Sequence, residues 1–298
     1  MSQYGKQAFN TLKSNKLAPK KKFGQNFLVN RHTAEAIVRA GMVSDTDIIL
    51  EVGVGLGALT IPLAATARQV YGFEIDSGII RFHEDQGDLP ANVTLIHQDI
   101  LTADFTNLAE LSGGLLKIMA NLPYSISNPF IFKLIDNAPL IQSATIMLQK
   151  EVADRLMAQP ATKQYGVPTV LLASRATVKK MMTLGPAEFH PRPKVDSVVV
   201  TIDFSGHHQS VNGILSEYDF DLFKKIVRTT FNQRRKTILN TLAGAAFFTD
   251  SVSDKGVSVK NVSEMAIERA NLSPKARPET LTVSDFIALT RQVERLLV

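Results

Sequence analysis

Between residues 47 and 157, apolar runs of strand length alternate with amphipathic stretches of helix length. No other feature narrows the fold of this chain as much. Asp47–Glu51 (DIILE), Gln69–Glu74, Asn92–His97, Leu115–Ala120 and Ala144–Leu148 read as strands. Gly57–Ala67, Ser77–Asp85, Asn128–Asp136 and Lys150–Met157 read as helices, with Pro62 compatible only with the first turn of its own. Alternation on this scale specifies βαβ units: a mostly parallel sheet with helices on both faces. Two later apolar runs, Ala176–Leu184 and Asp196–Phe204, would finish the sheet, and Arg31–Ala40 precedes it as a short helix closed by Gly41.

Ser205–Gly213 (SGHHQSVNG) has the composition of a linker, and only helical patterns follow it: Asp221–Thr230, Lys236–Ala243, Val262–Asn271 and Ser284–Leu297. The expected organisation is a Lys-rich arm over residues 1–22, a sheet domain over 23–205 and a helical domain over 206–298. No run approaches the ~18 apolar residues of a membrane span, and no secretory signal opens the chain, so a cytoplasmic location is expected. Cysteine is absent, which excludes disulfides, thiol nucleophiles and thiolate metal sites. None of the six histidines has the spacing of a metal pair on a helix, and no metal is expected.

The net charge of +5 is unevenly spread. Residues 1–31 carry seven basic groups and no acid; residues 224–236 carry six and no acid. The remainder is therefore acidic. Two basic clusters on an acidic body suit a polyanion, because neutralising phosphates releases counterions.

Immediately after the first strand come Gly53-Val54-Gly55-Leu56-Gly57-Ala58. Glycines let a backbone turn tightly and approach a ligand with no Cβ in the way. The next two strands end in acids: Glu74 closes YGFE and Asp99 closes TLIHQD. A carboxylate at the first position can accept both ribose hydroxyls, and one at the second can accept the exocyclic amine of adenine. Ile75 and Ile100 follow these acids and can sandwich the purine. The set describes an adenosine site. The glycine spacing also satisfies a dinucleotide fingerprint, so a nicotinamide-dependent oxidoreductase remains an alternative.

The fourth strand runs into Asn121-Leu122-Pro123-Tyr124. The N6 lone pair of adenine is delocalised into its ring and attacks poorly. Acceptors on both N6 hydrogens favour a pyramidal nitrogen and free that lone pair. The Asn121 side-chain oxygen and the Leu122 carbonyl can supply them, with Pro123 fixing the turn and Tyr124 stacking on the base. With a methyl carried on a sulfonium, in-line placement is the main further requirement, and neither metal nor strong base is needed.

In consistent order, GQNFL (Gly24–Leu28), EVGVGLGALT (Glu51–Thr60), NLPY, MLQKEVADR (Met147–Arg155), FHPRPKVDS (Phe189–Ser197) and FNQRRKT (Phe231–Thr237) resemble the KsgA-type ribosomal RNA adenine dimethyltransferases. The match runs from about residue 20 to 240. It implies a Rossmann-like, S-adenosylmethionine-dependent methyltransferase sheet followed by a small all-helical domain that contacts RNA. The implied activity is dimethylation of N6 on two adjacent adenines in the 3′-terminal hairpin loop of small-subunit (16S) ribosomal RNA. The implied partner is that RNA within a pre-30S-like assembly particle, and the chain is expected to be a monomer.

Carried over by position, the resemblance assigns Asn26, Leu28, Gly53, Glu74, Asp99 and Asn121 to the cofactor, with Gly55 in the same loop and Gln25 closing the site. It puts Asn121, Leu122 and Tyr124 on the target adenine, and Phe189 on the opposite stacking face. Lys20, Lys21 and Lys22, with Arg234, Arg235 and Lys236, are the expected RNA contacts. Val54 stands where the family often has proline. The related resistance methyltransferases, which modify large-subunit RNA, share the glycine loop and an NLPY-like motif; FNQRRKT favours the small-subunit enzyme. An assembly factor that only binds is the remaining alternative.

Overall fold

The computed structural model describes residues 24–206, 218–245, 247 and 258–297. These divide into two compact units. One comprises residues 24–153 and 176–205, the other residues 154–175 with everything described from 206 onward.

The first unit is built on nine strands: β1 (Phe27–Leu28), β2 (Ile48–Val52), β3 (Gln69–Glu74), β4 (Val93–His97), β5 (Leu116–Asn121), β6 (Ile141–Gln149), β7 (Thr177–Leu184), β8 (Phe189–His190) and β9 (Ser197–Asp203). Seven form one sheet in the order β4-β3-β2-β5-β6-β9-β7, and β1 pairs with β8 alone. From β4 to β6 every pairing is parallel, and β9 and β7 close the edge antiparallel. The chain leaves β2 toward β3 and β4, then returns to lay β5 on β2's other side. That reversal opens a crevice at the carboxyl ends, where open α/β sheets take their ligands. In register, Val52 faces both Phe73 and Ala120, and Glu74 faces His97, so the Gly-loop, Glu74 and Asn121 emerge on one edge.

The central strands are buried on both faces. Ile49, Leu50, Ile118, Met119, Ala120, Ile146 and Val199 are all shielded from solvent, which is why these strands read as continuous apolar runs. Helices cover the sheet: α1 (Arg31–Ala40), α2 (Thr60–Ala64), α3 (Ser77–Gln86), α4 (Phe105–Ser112) and α5 (Ser127–Asp136). The helix expected from Gly57 starts only at Thr60, which leaves Pro62 in the first turn, where its missing N–H costs no bond. α4 was not anticipated, although its signals are present: the Asp104 side chain accepts from the Thr106 amide, and Gly113 ends the helix at φ +70. Val54 packs over Gly72 so closely that a Cβ on Gly72 would lie 2.6 Å from Val54 Cγ2.

The second unit is helical: α7 (Val167–Ala173), α8 (Phe220–Phe231), α9 (Ile238–Ala243), α10 (Val259–Arg269) and α11 (Val283–Leu297), with α6 (Lys150–Leu156) crossing the division. Here the expected boundary is corrected. Residues 154–175, which the sequence assigned to the sheet domain, pack with the C-terminal helices. The Tyr165 hydroxyl donates to the Leu281 carbonyl, and its ring lies 6.1 Å from Phe231, itself 5.9 Å from Phe286. The segment carries no strand, so its apolar residues have no place in the sheet's core. Lys20, Lys21, Lys22 and the rest of the arm expected over 1–22 lie outside the described residues, as does most of the Ser205–Gly213 linker.

Candidate active site

Four neighbouring strand ends open into one cleft at the carboxyl edge of the sheet. Its floor is the Gly-loop. Gly53 and Gly55 have φ values of +81 and +55, a region where L side chains are strained. A Cβ on Gly53 would lie 3.4 Å from the Asn121 carbonyl oxygen, and one on Gly55 would lie 3.2 Å from the Phe27 ring. The loop is thus pinched between β5 on one side and the β1 strand on the other.

Glu74 is held by backbone donors. The Gly55 amide donates to Oε2 at 3.1 Å and the Asp76 amide to Oε1 at 2.8 Å. Burial pushes its carboxyl above the usual range, these amides pull it down, and the Asp76 carboxylate pushes it up again. Asp76 caps α3 by accepting from the Gly78 amide, and also accepts from Gln25 Nε2 at 3.2 Å. Gln25 is thereby fixed across the mouth of the cleft. Asp99 accepts from the Leu101 amide through Oδ1. Asn121 donates its Nδ2 to the Asn26 carbonyl at 3.3 Å, which leaves Oδ1 as its acceptor, and Asn26 donates to the Gly24 carbonyl.

The cleft gathers Gln25, Asn26, Leu28, Gly53, Gly55, Glu74, Ile75, Asp99, Ile100, Asn121 and Leu122, all expected from sequence. Ile75 stands exposed at the lip while Ile100 is buried. Two expected residues do not line it. Tyr124 occupies a single 3₁₀ turn, half-buried, with its hydroxyl 2.9 Å from Ser197 Oγ, and burial raises its phenol. Phe189 is only 3% exposed, inside an apolar cluster with Leu28, Met119, Met147 and Val199. It pairs with Leu28 across β1 and β8. Phe189 thus packs beside the cleft's N-terminal rim.

Sequence reasoning passed over Glu51. The last acid of the DIILE run lines the cleft at 1% exposure, and neither carboxylate oxygen has a hydrogen-bond partner among the described residues. Burial pushes it up to about 8; the Thr60 hydroxyl, outside hydrogen-bond geometry, pulls the other way, and the nearby Glu74 carboxylate adds to the rise. The signal was a carboxylate at the end of a strand buried on both faces, where nothing apolar explains it. Chemically, the cleft offers acceptors for a pair of hydroxyls, an acceptor for an amine, apolar walls for a flat ring and an unsatisfied buried acid suited to a cation.

In the helical unit, Asn232–Lys236 form the exposed turn between α8 and α9. Arg234 donates to the Lys163 carbonyl at 3.1 Å, and Arg235 and Lys236 are exposed beside it.

This sheet, with its cleft at the strand ends, is that of the Rossmann-like methyltransferases. The chain superposes on a dimethyladenosine transferase from Plasmodium falciparum with a TM-score of 0.75 at 26% identity, covering 91% of this chain and 98% of that one. It shares its fold with the 23S rRNA methyltransferase ErmE, at a TM-score of 0.60 and 22% identity over 90% of this chain and 100% of that one. In sequence, residues 16–273 match the family described as ribosomal RNA adenine dimethylase. The chain is 57% identical over 295 residues to the ribosomal RNA small subunit methyltransferase A of Desulfotalea psychrophila, covering 99% of this chain and 98% of the relative. It is 35% identical over 280 residues to the protein of the same name from Caldanaerobacter subterraneus subsp. tengcongensis, covering 93% and 98%. The chain belongs to the ribosomal RNA adenine dimethylase family, and it is a methyltransferase.

Proposed function

We propose that this methyltransferase uses S-adenosylmethionine to dimethylate N6 of two adjacent adenines in the 3′-terminal hairpin loop of 16S ribosomal RNA, within a pre-30S-like particle. The observation that carries the reading is that Asn121 and Leu122 line the same cleft as the Gly-loop, Glu74 and Asp99. An amine-orienting turn and an adenosine-binding set thereby share one space. The names of the relatives support the small subunit as the substrate's source. That substrate is cytoplasmic, and in this reading so is the enzyme, acting as a monomer. Among the described residues, no helix is long and apolar enough to cross a membrane.

The residues fit the donor. Glu51, buried and without a partner, matches a cationic group, and Glu74 keeps a lone pair on each oxygen beyond those its two amides occupy. Asp99 would accept the amine of the donor's adenine, Ile75 and Ile100 would flank that ring, and Gln25 and Asn26 would close the N-terminal side. The donor supplies a methyl group on a sulfonium. The chain's own work is placement: Asn121 Oδ1 and the Leu122 carbonyl accept hydrogen bonds from the two N6 hydrogens of the target, and the one proton that N6 loses for each methyl gained passes to water. Tyr124 stacks on the extruded base once the target enters, so an unstacked loop is a better substrate than continuous duplex. Arg234, Arg235 and Lys236, with Lys20, Lys21 and Lys22, track phosphates.

Each transferred methyl removes one N–H donor from N6. The dimethylated product can therefore donate to neither Asn121 nor Leu122, and it binds more weakly than substrate adenine. The test is mass spectrometry of the 16S RNA after unmethylated pre-30S-like particles are incubated with protein and S-adenosylmethionine. Two adjacent dimethyladenines in the 3′-terminal hairpin are expected; methylation elsewhere, or in large-subunit RNA instead, refutes the assignment.

A further inference from the structure

His83 lies on α3, and its side chain is 1% exposed. It is one of the few buried titratable groups that the reading above does not use. Its Nε2 is 2.9 Å from the carbonyl oxygen of Gly55, and its Nδ1 is 2.7 Å from Oδ1 of Asp88. Neither partner has a hydrogen to give: one is a peptide carbonyl, the other the carboxylate of a partly exposed aspartate. Both short contacts are satisfied together only when both ring nitrogens carry protons, so the ring acts as a double donor whose charge Asp88 balances.

The Gly55 peptide is held at both ends. Its amide donates to Glu74, and its carbonyl accepts from His83. Because Gly55 sits at positive φ with Phe27 against it, that peptide has alternative orientations which only outside contacts suppress. His83 also lies against the next turn of the loop, its Cε1 being 3.7 Å from where a Cβ on Gly57 would stand. The charged groups around it are Asp88 and, through the Gly55 peptide, Glu74. The geometry points to His83 as a positioning residue: a doubly protonated clamp, braced on Asp88, that fixes the Gly-loop in the shape that receives the donor. It touches neither donor nor target. The inference rests on the reading of the cleft as the donor site.

Binding of S-adenosylhomocysteine is measured calorimetrically for the full chain and for His83→Phe, His83→Gln and Asp88→Asn. His83→Phe keeps the ring's bulk without donors. It should weaken binding by roughly tenfold or more, the scale of one charge-assisted hydrogen bond. KM for S-adenosylmethionine should rise equally, while kcat at saturating donor changes less than twofold. His83→Gln, with one amide to donate, should recover part of the loss, and Asp88→Asn, at a partly exposed site, should weaken binding while leaving the fold intact. In nitrogen-15 spectra of the folded protein both ring nitrogens of His83 should carry hydrogen-bonded protons. A wild-type chain that fails to bind S-adenosylhomocysteine overturns the donor-site reading itself. A wild-type chain that binds, with Phe and Asn variants binding as well as it does or a ring seen with one proton, overturns only the clamp.

Discussion

Replacing Glu51 with glutamine should change how stability depends on pH, and by an amount the structure sets. In the folded chain the carboxyl is pushed up to about 8, against an ordinary value of 4.5. A raised folded value means that the native state holds its proton longer than the unfolded chain does. Below pH 4.5 both states are protonated and the group is neutral in the balance. Between 4.5 and 8 the unfolded chain ionises and the native one does not, so stability falls as pH rises, and above 8 the loss is complete. At 1.36 kcal/mol per pH unit, the full loss is on the order of 5 kcal/mol. Glutamine removes the titration and keeps the shape. Its amide is also buried without a partner, at a cost of about 1–3 kcal/mol, but that offset does not vary with pH. Denaturant unfolding of the sheet unit, followed for both proteins at pH 5, 6, 7 and 8, should show the variant gaining on wild type by about 4 kcal/mol across the series. Parallel curves would mean that Glu51 is ionised or solvated in the native state, and the account of it as a desolvated acid without a partner would fail with them. The same glutamine should weaken S-adenosylmethionine binding, since it cannot carry the charge.

Three further outcomes follow from named contacts. Asn121→Ala should abolish most methyl transfer while shifting thermal stability little, because the side chain makes one 3.3 Å bond at the cleft surface; unchanged turnover would remove Asn121 from the chemistry. Gly72→Ala should cost about 1–3 kcal/mol, since the new methyl meets the stiff, β-branched Val54. Gly41→Ala should cost less, because the atoms it meets belong to the flexible side chain of Met119, and equal costs in thermal melts would refute that distinction. Replacing Arg234, Arg235 and Lys236 together by alanine should flatten the slope of log affinity for RNA against log salt by about 2, with an unaltered slope counting against phosphate contact there.

The parts of this site that could be read in the sequence are those written locally. Glu74 and Asp99 were legible because an apolar run fixes where its strand ends, and a carboxylate at that point stands out. The Gly-loop was legible because three glycines at alternate positions mark backbone that departs from ordinary φ. The pairing of Phe27–Leu28 with Phe189–His190 was not legible: it joins two-residue strands that are 161 to 163 positions apart, too short to show a period. The burial of Phe189 was hidden with it, because its flanking prolines suit an exposed ring as well as a packed one. Residues 154–175 went to the wrong domain for a related reason. Pro160, Gly166 and Pro168 break them into pieces whose partners, Leu281 and Phe231, lie far along the chain. Glu51 was hidden by its neighbours, since an acid beside Gly53 reads as the end of a strand until burial on both faces is known.

That the helical unit borrows residues 154–175 has a consequence during synthesis. Tyr165 leaves the ribosome 66 residues before Phe231 and 116 before Leu281. At about 5–20 residues per second, its ring and the apolar turn of Val170–Leu172 wait roughly 3–13 s for the first of those partners and longer for the second. For that interval a greasy segment follows β6 without its partners, and chaperone occupancy should be greatest on chains halted after Tyr165 has left the ribosome and before Phe231 has.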